Sequence, residues 1–135
     1  MKLCSACLLG INCRYDGKNA LNKRVVALAR KETLIPICPE QLGGLKTPRE
    51  RCEIKGKKVV TESGKDFTKA FRKGAAKALK AAKILGVKEA ILKQRSPSCG
   101  SGKVYDGTFS GKIIKGDGIT AALLKKNGIK IVQME

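Results

Sequence analysis

Six cysteines and no histidine define the chemistry open to this chain. The thiols stand at Cys4, Cys7, Cys13, Cys38, Cys52 and Cys99. Without an imidazole there is no Ser-His or Cys-His nucleophile and no His-ligated metal. Proton transfer and ligation fall to Cys, Asp, Glu, Ser, Lys, Tyr or a cofactor. Two of the thiols have candidate partners close by. Glu40 follows Cys38 by two residues, where a carboxylate can move protons at anything the thiol holds. Ser96 and Ser98 flank Pro97 just before Cys99, where a hydroxyl can orient a substrate or a water, or simply form the turn.

The elements that must position these residues follow from apolar patterning. Lys2–Ser5 is a short strand. A polar, Gly-containing loop runs from Cys7 to Lys18. Leu21–Arg30 carries apolar residues at helical period, and Leu34–Ile37 is a buried-type strand stopped by the Cys-Pro-Glu of Cys38–Glu40. Gln41–Arg49 is a loop by its glycines and proline. Cys52–Thr61 reads as a hairpin turning at Gly56–Lys57. Asp66–Leu85 is the strongest helix, ending at Gly86. Ala90–Lys93 is a third buried strand, followed by a long Gly/Ser loop over Gln94–Gly118. Ile119–Lys126 is a helix with Gly128 past its end, and Ile129–Val132 is the last strand.

Short apolar strands alternating with helices predict an α/β fold: one domain over residues 1–135, Rossmann-like, with a mainly parallel sheet of about four strands and a small β-hairpin insertion. Ligands of such sheets bind beyond the carboxyl ends of the strands. Cys7 follows the first strand, Cys38 the second, and Cys99 lies in the loop leaving the third. Three thiols distant in sequence are therefore expected at one sheet edge. Cys52, inside the hairpin, is expected to be a plain core residue.

Three converging thiols admit three readings. They can be buried core cysteines, since free Cys packs as a small hydrophobe. They can bind zinc, but Cys4 and Cys7 form a single CxxC with no second close pair, and Cys4 falls inside a strand. They can hold an iron–sulfur cluster with one iron left open, a soft site suited to a sulfur-bearing substrate. No Gly-rich phosphate loop of nucleotide-binding spacing is present.

Composition bounds the rest. The 135 residues are 42% hydrophobic and 30% charged, the profile of a folded globular chain. Lys and Arg number 29 against 11 acids, a net charge of +18, which favours a polyanion or nucleotide-like partner over a neutral one. The start, MKLCSACLLG, is too interrupted for a signal peptide, and no apolar run approaches the roughly 18 residues of a membrane span. A cytoplasmic protein with reduced thiols is expected.

The segments SACLLG (Ser5–Gly10), CRYDG (Cys13–Gly17), ICPE (Ile37–Glu40), GGLKTPR (Gly43–Arg49), KQRSPSCG (Lys93–Gly100), YDGTFSG (Tyr105–Gly111) and GDGITAALL (Gly116–Leu124) resemble, in this order and over nearly the whole chain, the thiouracil desulfidase family. The resemblance implies a [4Fe–4S] cluster held by Cys7, Cys38 and Cys99. It implies an iron open to a thiocarbonyl sulfur, proton transfer by Glu40, and assistance at the substrate by Ser96. The implied reaction is hydrolytic and non-redox, on a free thiobase, a thionucleoside or a thiolated RNA. Cys4 and Cys52 lie outside the matched pattern, and Cys13 is not among the three implied ligands. Two other functions remain open at this level: a zinc- or cluster-containing RNA-binding module, and a tRNA sulfur-transfer enzyme.

Overall fold

A computed structural model describes all residues from Met1 to Glu135. The four long-range strands are β1 (Lys2–Ser5), β2 (Leu34–Ile37), β5 (Glu89–Lys93) and β8 (Lys130–Met134). They form one all-parallel sheet in the order β2-β1-β5-β8. Pro36, which cannot donate to a ladder, sits in the edge strand β2, where proline is tolerated.

Side chains alternate across the sheet and define its two faces. Leu3, Ala90 and Leu92 pack on one side with Ala78, Ala82, Ala121 and Leu124. Those residues belong to α3 (Thr68–Leu85) and α4 (Ile119–Lys126). Cys4 and Ile91 face the other side with Leu8 and Val25, where α1 (Lys23–Ala29) closes the layer. The result is the expected α/β fold with helices on both faces. Cys4 is fully buried in the α1 layer, as its place in the strand predicted.

The insertion is the hairpin β3 (Cys52–Lys55) and β4 (Lys58–Thr61), in register Cys52↔Thr61 to Lys55↔Lys58. Two features depart from the sequence reading. The start of the 41–49 segment is helical: α2 (Pro39–Leu42) begins with Pro39 at its first position, where a missing N–H costs nothing. The 94–118 segment is not all loop. It contains a second hairpin, β6 (Lys103–Tyr105) with β7 (Ile113–Lys115).

Candidate active site

Three strand ends deliver the three thiols. After β1 the chain enters a single 3-10 turn, Ala6–Leu9, capped by Gly10 in the left-handed conformation. The Cys7 carbonyl there accepts the N–H groups of Gly10 and Ala20. Cys38 is the N-cap of α2, and its carbonyl accepts the N–H of Leu42. Cys99 lies in the loop leaving β5. The Ser96 Oγ accepts the N–H groups of Ser98 (3.1 Å) and Cys99 (3.0 Å). Gln133 of β8 clamps the same loop from the neighbouring strand: its Nε2 donates to the Cys99 carbonyl at 3.1 Å, and its Oε1 accepts from the Ser101 N–H at 2.9 Å. Inside the loop, the Ser98 and Thr120 hydroxyls pair at 2.8 Å, both fully buried.

Cys7, Cys38 and Cys99 all line one cavity of about 270 Å³ at the carboxyl edge of the sheet, together with Glu40, Ser96 and Cys13. All six cysteines are free thiols. Cys13 stands with Cys7 and Cys38, and the Cys38 Sγ lies 3.7 Å from the Cys13 carbonyl oxygen. Its thiol is pushed up to about 11: neighbouring Cys38 draws it down, while Cys7 and burial push it up. Contact with Cys13, then burial, raises the Cys38 thiol, and burial raises that of Cys99. These are protonated thiols until something claims their sulfur, and a coordinating metal deprotonates a thiol outright.

Glu40 sits in the first turn of α2, with its side chain only 15% exposed. Burial raises its carboxyl above the ordinary range, against the pull of Arg49. The Arg49 side chain is 6% exposed and reaches Glu40 Oε2 at 3.5 Å, the Cys13 carbonyl at 3.0 Å and Thr47 Oγ1 at 3.0 Å. One guanidinium therefore ties Glu40 to the Cys13 loop.

Cys52 packs in the core beside Val59 and Phe71, as expected, and it also lines the cavity. Ser96 lines the cavity as well, while its oxygen shapes the Cys99 turn and its O–H proton remains to donate. Arg49, Arg51, Lys93 and Gln133 were not singled out in the sequence. Arg49 and Lys93 fall inside the matched segments, which was the available signal.

The residues fit a thiolate-held inorganic cluster. Soft sulfur donors come from three separate loops and surround a cavity. Arg14, Arg49, Arg51, Lys93 and Arg95 line the wall against only Glu40 and Glu50, which offsets the negative charge that thiolates and sulfide would bring.

Residues 3–135 match the family model for 2-thiouracil desulfurase. The chain belongs to the 2-thiouracil desulfurase family. The chain is 47% identical over 142 residues to the uncharacterized protein YbbK of Bacillus subtilis (strain 168), an alignment covering 98% of this chain and 94% of YbbK. Its fold matches the solved structure of the [4Fe-4S]-dependent thiouracil desulfidase TudS with a TM-score of 0.92 at 44% identity, covering 98% of this chain and 89% of the other. No helix of the chain is long and apolar enough to cross a membrane.

Proposed function

We propose that this chain is a [4Fe–4S]-dependent desulfidase that converts a thiouracil-type base and water into the oxo base and hydrogen sulfide. The carrying observation is the meeting of Cys7, Cys38 and Cys99 with Glu40 in one cavity, in a chain 44% identical to a [4Fe-4S]-dependent thiouracil desulfidase. Cys7, Cys38 and Cys99 would hold the cluster. When bound, it supplies an iron with no protein thiolate, a soft Lewis acid matched to a thiocarbonyl sulfur.

The protein's own residues supply the rest. Glu40, desolvated and tethered by Arg49, is the group that takes a proton from the attacking water and returns it to the departing sulfur. Ser96 shapes the Cys99 turn and offers its O–H proton to the substrate. Glu40 is only 15% exposed, so the carboxyl works in a medium poorer in water than the bulk. Exchange of sulfur for oxygen leaves the oxidation state of the ring carbon unchanged. Turnover in ¹⁸O-water without added reductant should place one labelled oxygen in the product base per sulfide released. Product free of label, or turnover only with an electron donor, would refute the hydrolytic reading.

One observation favours a thiolated nucleotide or RNA over a free base. The outer face of α3 carries Lys69, Arg72, Lys73, Lys77, Lys80 and Lys83, all exposed and none in an ion pair. The helix contains no acid, and like charges three and four apart repel. Such a stripe, about 21 Å long, is complementary to a phosphate backbone. It starts beside the site, since Phe71 of the same helix lines the cavity. Competition by unmodified tRNA against small-molecule turnover, lost at high salt, would support it; indifference to tRNA would remove it.

A further inference from the structure

Beside the thiols lies a built feature that the cluster and Glu40 do not use. Glu53 of β3 is a carboxylate only 1% exposed. Its Oε1 accepts the N–H groups of Gly107 (3.0 Å) and Phe109 (3.1 Å), and its Oε2 is paired with Arg51. Burying a carboxylate is costly unless every lone pair is served, and here the partners are two backbone amides and a guanidinium. The turn it holds is demanding. Gly107 has φ +91°, and a Cβ there would stand 2.7 Å from the Ile54 carbonyl. Phe109 adopts φ +57°, a region non-glycine residues seldom occupy.

What this arrangement fixes is Arg51. The guanidinium carbon lies 5.3 Å from the ring centre of Tyr105 and 5.5 Å from that of Phe109, so two aromatic rings and a buried carboxylate hold it. Arg51 and Tyr105 both line the cavity. Arg49, by contrast, spends its donors on Lys46, Thr47, Cys13 and Glu40. The Arg51 guanidinium makes one protein hydrogen bond, to Glu53, and a guanidinium has five N–H donors. A rigidly held guanidinium with unspent donors at a cavity wall is a recognition group for an acceptor oxygen.

We propose that Arg51 is the specificity-determining residue of this cavity: it donates to the second, oxygen-bearing carbonyl of the thiobase, and Glu53 is the positioning residue that aims it. The inference rests on the desulfidase reading above. Uracil-type thiobases carry one thiocarbonyl and one carbonyl, so a further donor on the wall of the same cavity reads the edge that the thiocarbonyl chemistry does not. Arginine rather than lysine is needed, because the rings pack against a planar cation.

The test compares 4-thiouracil with pyrimidine-4-thione, which lacks the second carbonyl oxygen, on cluster-loaded wild type, Arg51→Gln, Arg51→Lys and Glu53→Gln. Cluster content is measured by absorbance in each. Wild type should prefer 4-thiouracil in kcat/KM. Arg51→Gln should lower kcat/KM for 4-thiouracil by about tenfold to a hundredfold, chiefly through KM, the loss expected for one hydrogen bond to a charged group. It should lower kcat/KM for pyrimidine-4-thione far less. Arg51→Lys should not restore the preference, and Glu53→Gln should weaken it with the cluster retained. Equal effects on both substrates, or none, would overturn the proposal while leaving the desulfidase reading intact. Wild type that carries its cluster and turns over neither substrate would overturn that reading and this one together. Should Glu53→Gln fail to fold, the partly exposed Arg51 still decides the question.

Discussion

Gly74 of α3 and Pro39 of α2 meet backbone to backbone: a Cβ on Gly74 would stand 1.8 Å from the Pro39 carbonyl oxygen. Gly43, at the other end of α2, meets the Ala70 carbonyl in the same way at 2.0 Å. Two glycines thus let α2 lie directly on α3, and α2 carries Glu40 and is capped by Cys38. Gly74→Ala should gain up to about 1 kcal/mol of helix propensity. Overpacking against a backbone carbonyl should cost about 1–3 kcal/mol and win. The melting temperature should fall, and cluster retention with it, because the displaced element holds Cys38. A variant as stable and as well loaded as wild type would show that α2 tolerates the shift.

The ligand set predicts a split among the cysteines. Cys7→Ala, Cys38→Ala and Cys99→Ala should each abolish cluster retention, read as loss of visible absorption and of bound iron after reconstitution. Cys4→Ala, in the α1 layer and not part of the cavity wall, should cost stability and keep the cluster. Cys52→Ala should also keep it, even though Cys52 lines the cavity. Bleaching by Cys52→Ala with retention in Cys38→Ala would mean the ligands were misassigned.

Glu40→Gln separates proton transfer from assembly. It removes the titrating oxygen and preserves shape, so the cluster should stay while turnover falls by about 10²–10⁴-fold. Retained turnover would take Glu40 out of the mechanism. Ser96→Ala should behave differently, because its oxygen organises two backbone N–H groups beside Cys99. Cluster retention and turnover should drop together; a loss of turnover alone would show that its remaining proton is what matters.

The buried Ser98–Thr120 hydroxyl pair joins the Cys99 loop to α4. Ser98→Ala strands the Thr120 hydroxyl in a fully buried position, and should cost about 1–3 kcal/mol in denaturant unfolding. The double variant Ser98→Ala with Thr120→Val, which removes both polar groups, should recover part of that loss. Additive losses would indicate that the pair is not coupled.

Much of this was legible in the residues. The strand limits of β1 and β2 and the β3–β4 hairpin match those expected from their apolar residues and, for the hairpin, its turn at Gly56–Lys57. The convergence of Cys7, Cys38 and Cys99 followed from parallel topology alone. The β6–β7 hairpin did not show, since its strands are three residues long and Ile113 and Ile114 stay exposed among glycines. The α2 turn was hidden by Gly43, whose role is contact with α3, and by Gly44, whose φ of +93° turns the chain just after it. Arg51 was invisible among 29 basic residues, because its distinction comes from Glu53, Tyr105 and Phe109 meeting it in space. Cys52 was placed in the right hairpin, but only tertiary packing brings that hairpin across the cavity.

The most direct test is an anaerobic absorption spectrum of protein reconstituted with iron and sulfide, followed by addition of 4-thiouracil. A broad visible thiolate–iron charge-transfer band, then loss of the thiobase chromophore with stoichiometric release of sulfide, is the predicted result. A colourless protein that binds zinc tightly and leaves the thiobase untouched would contradict the account.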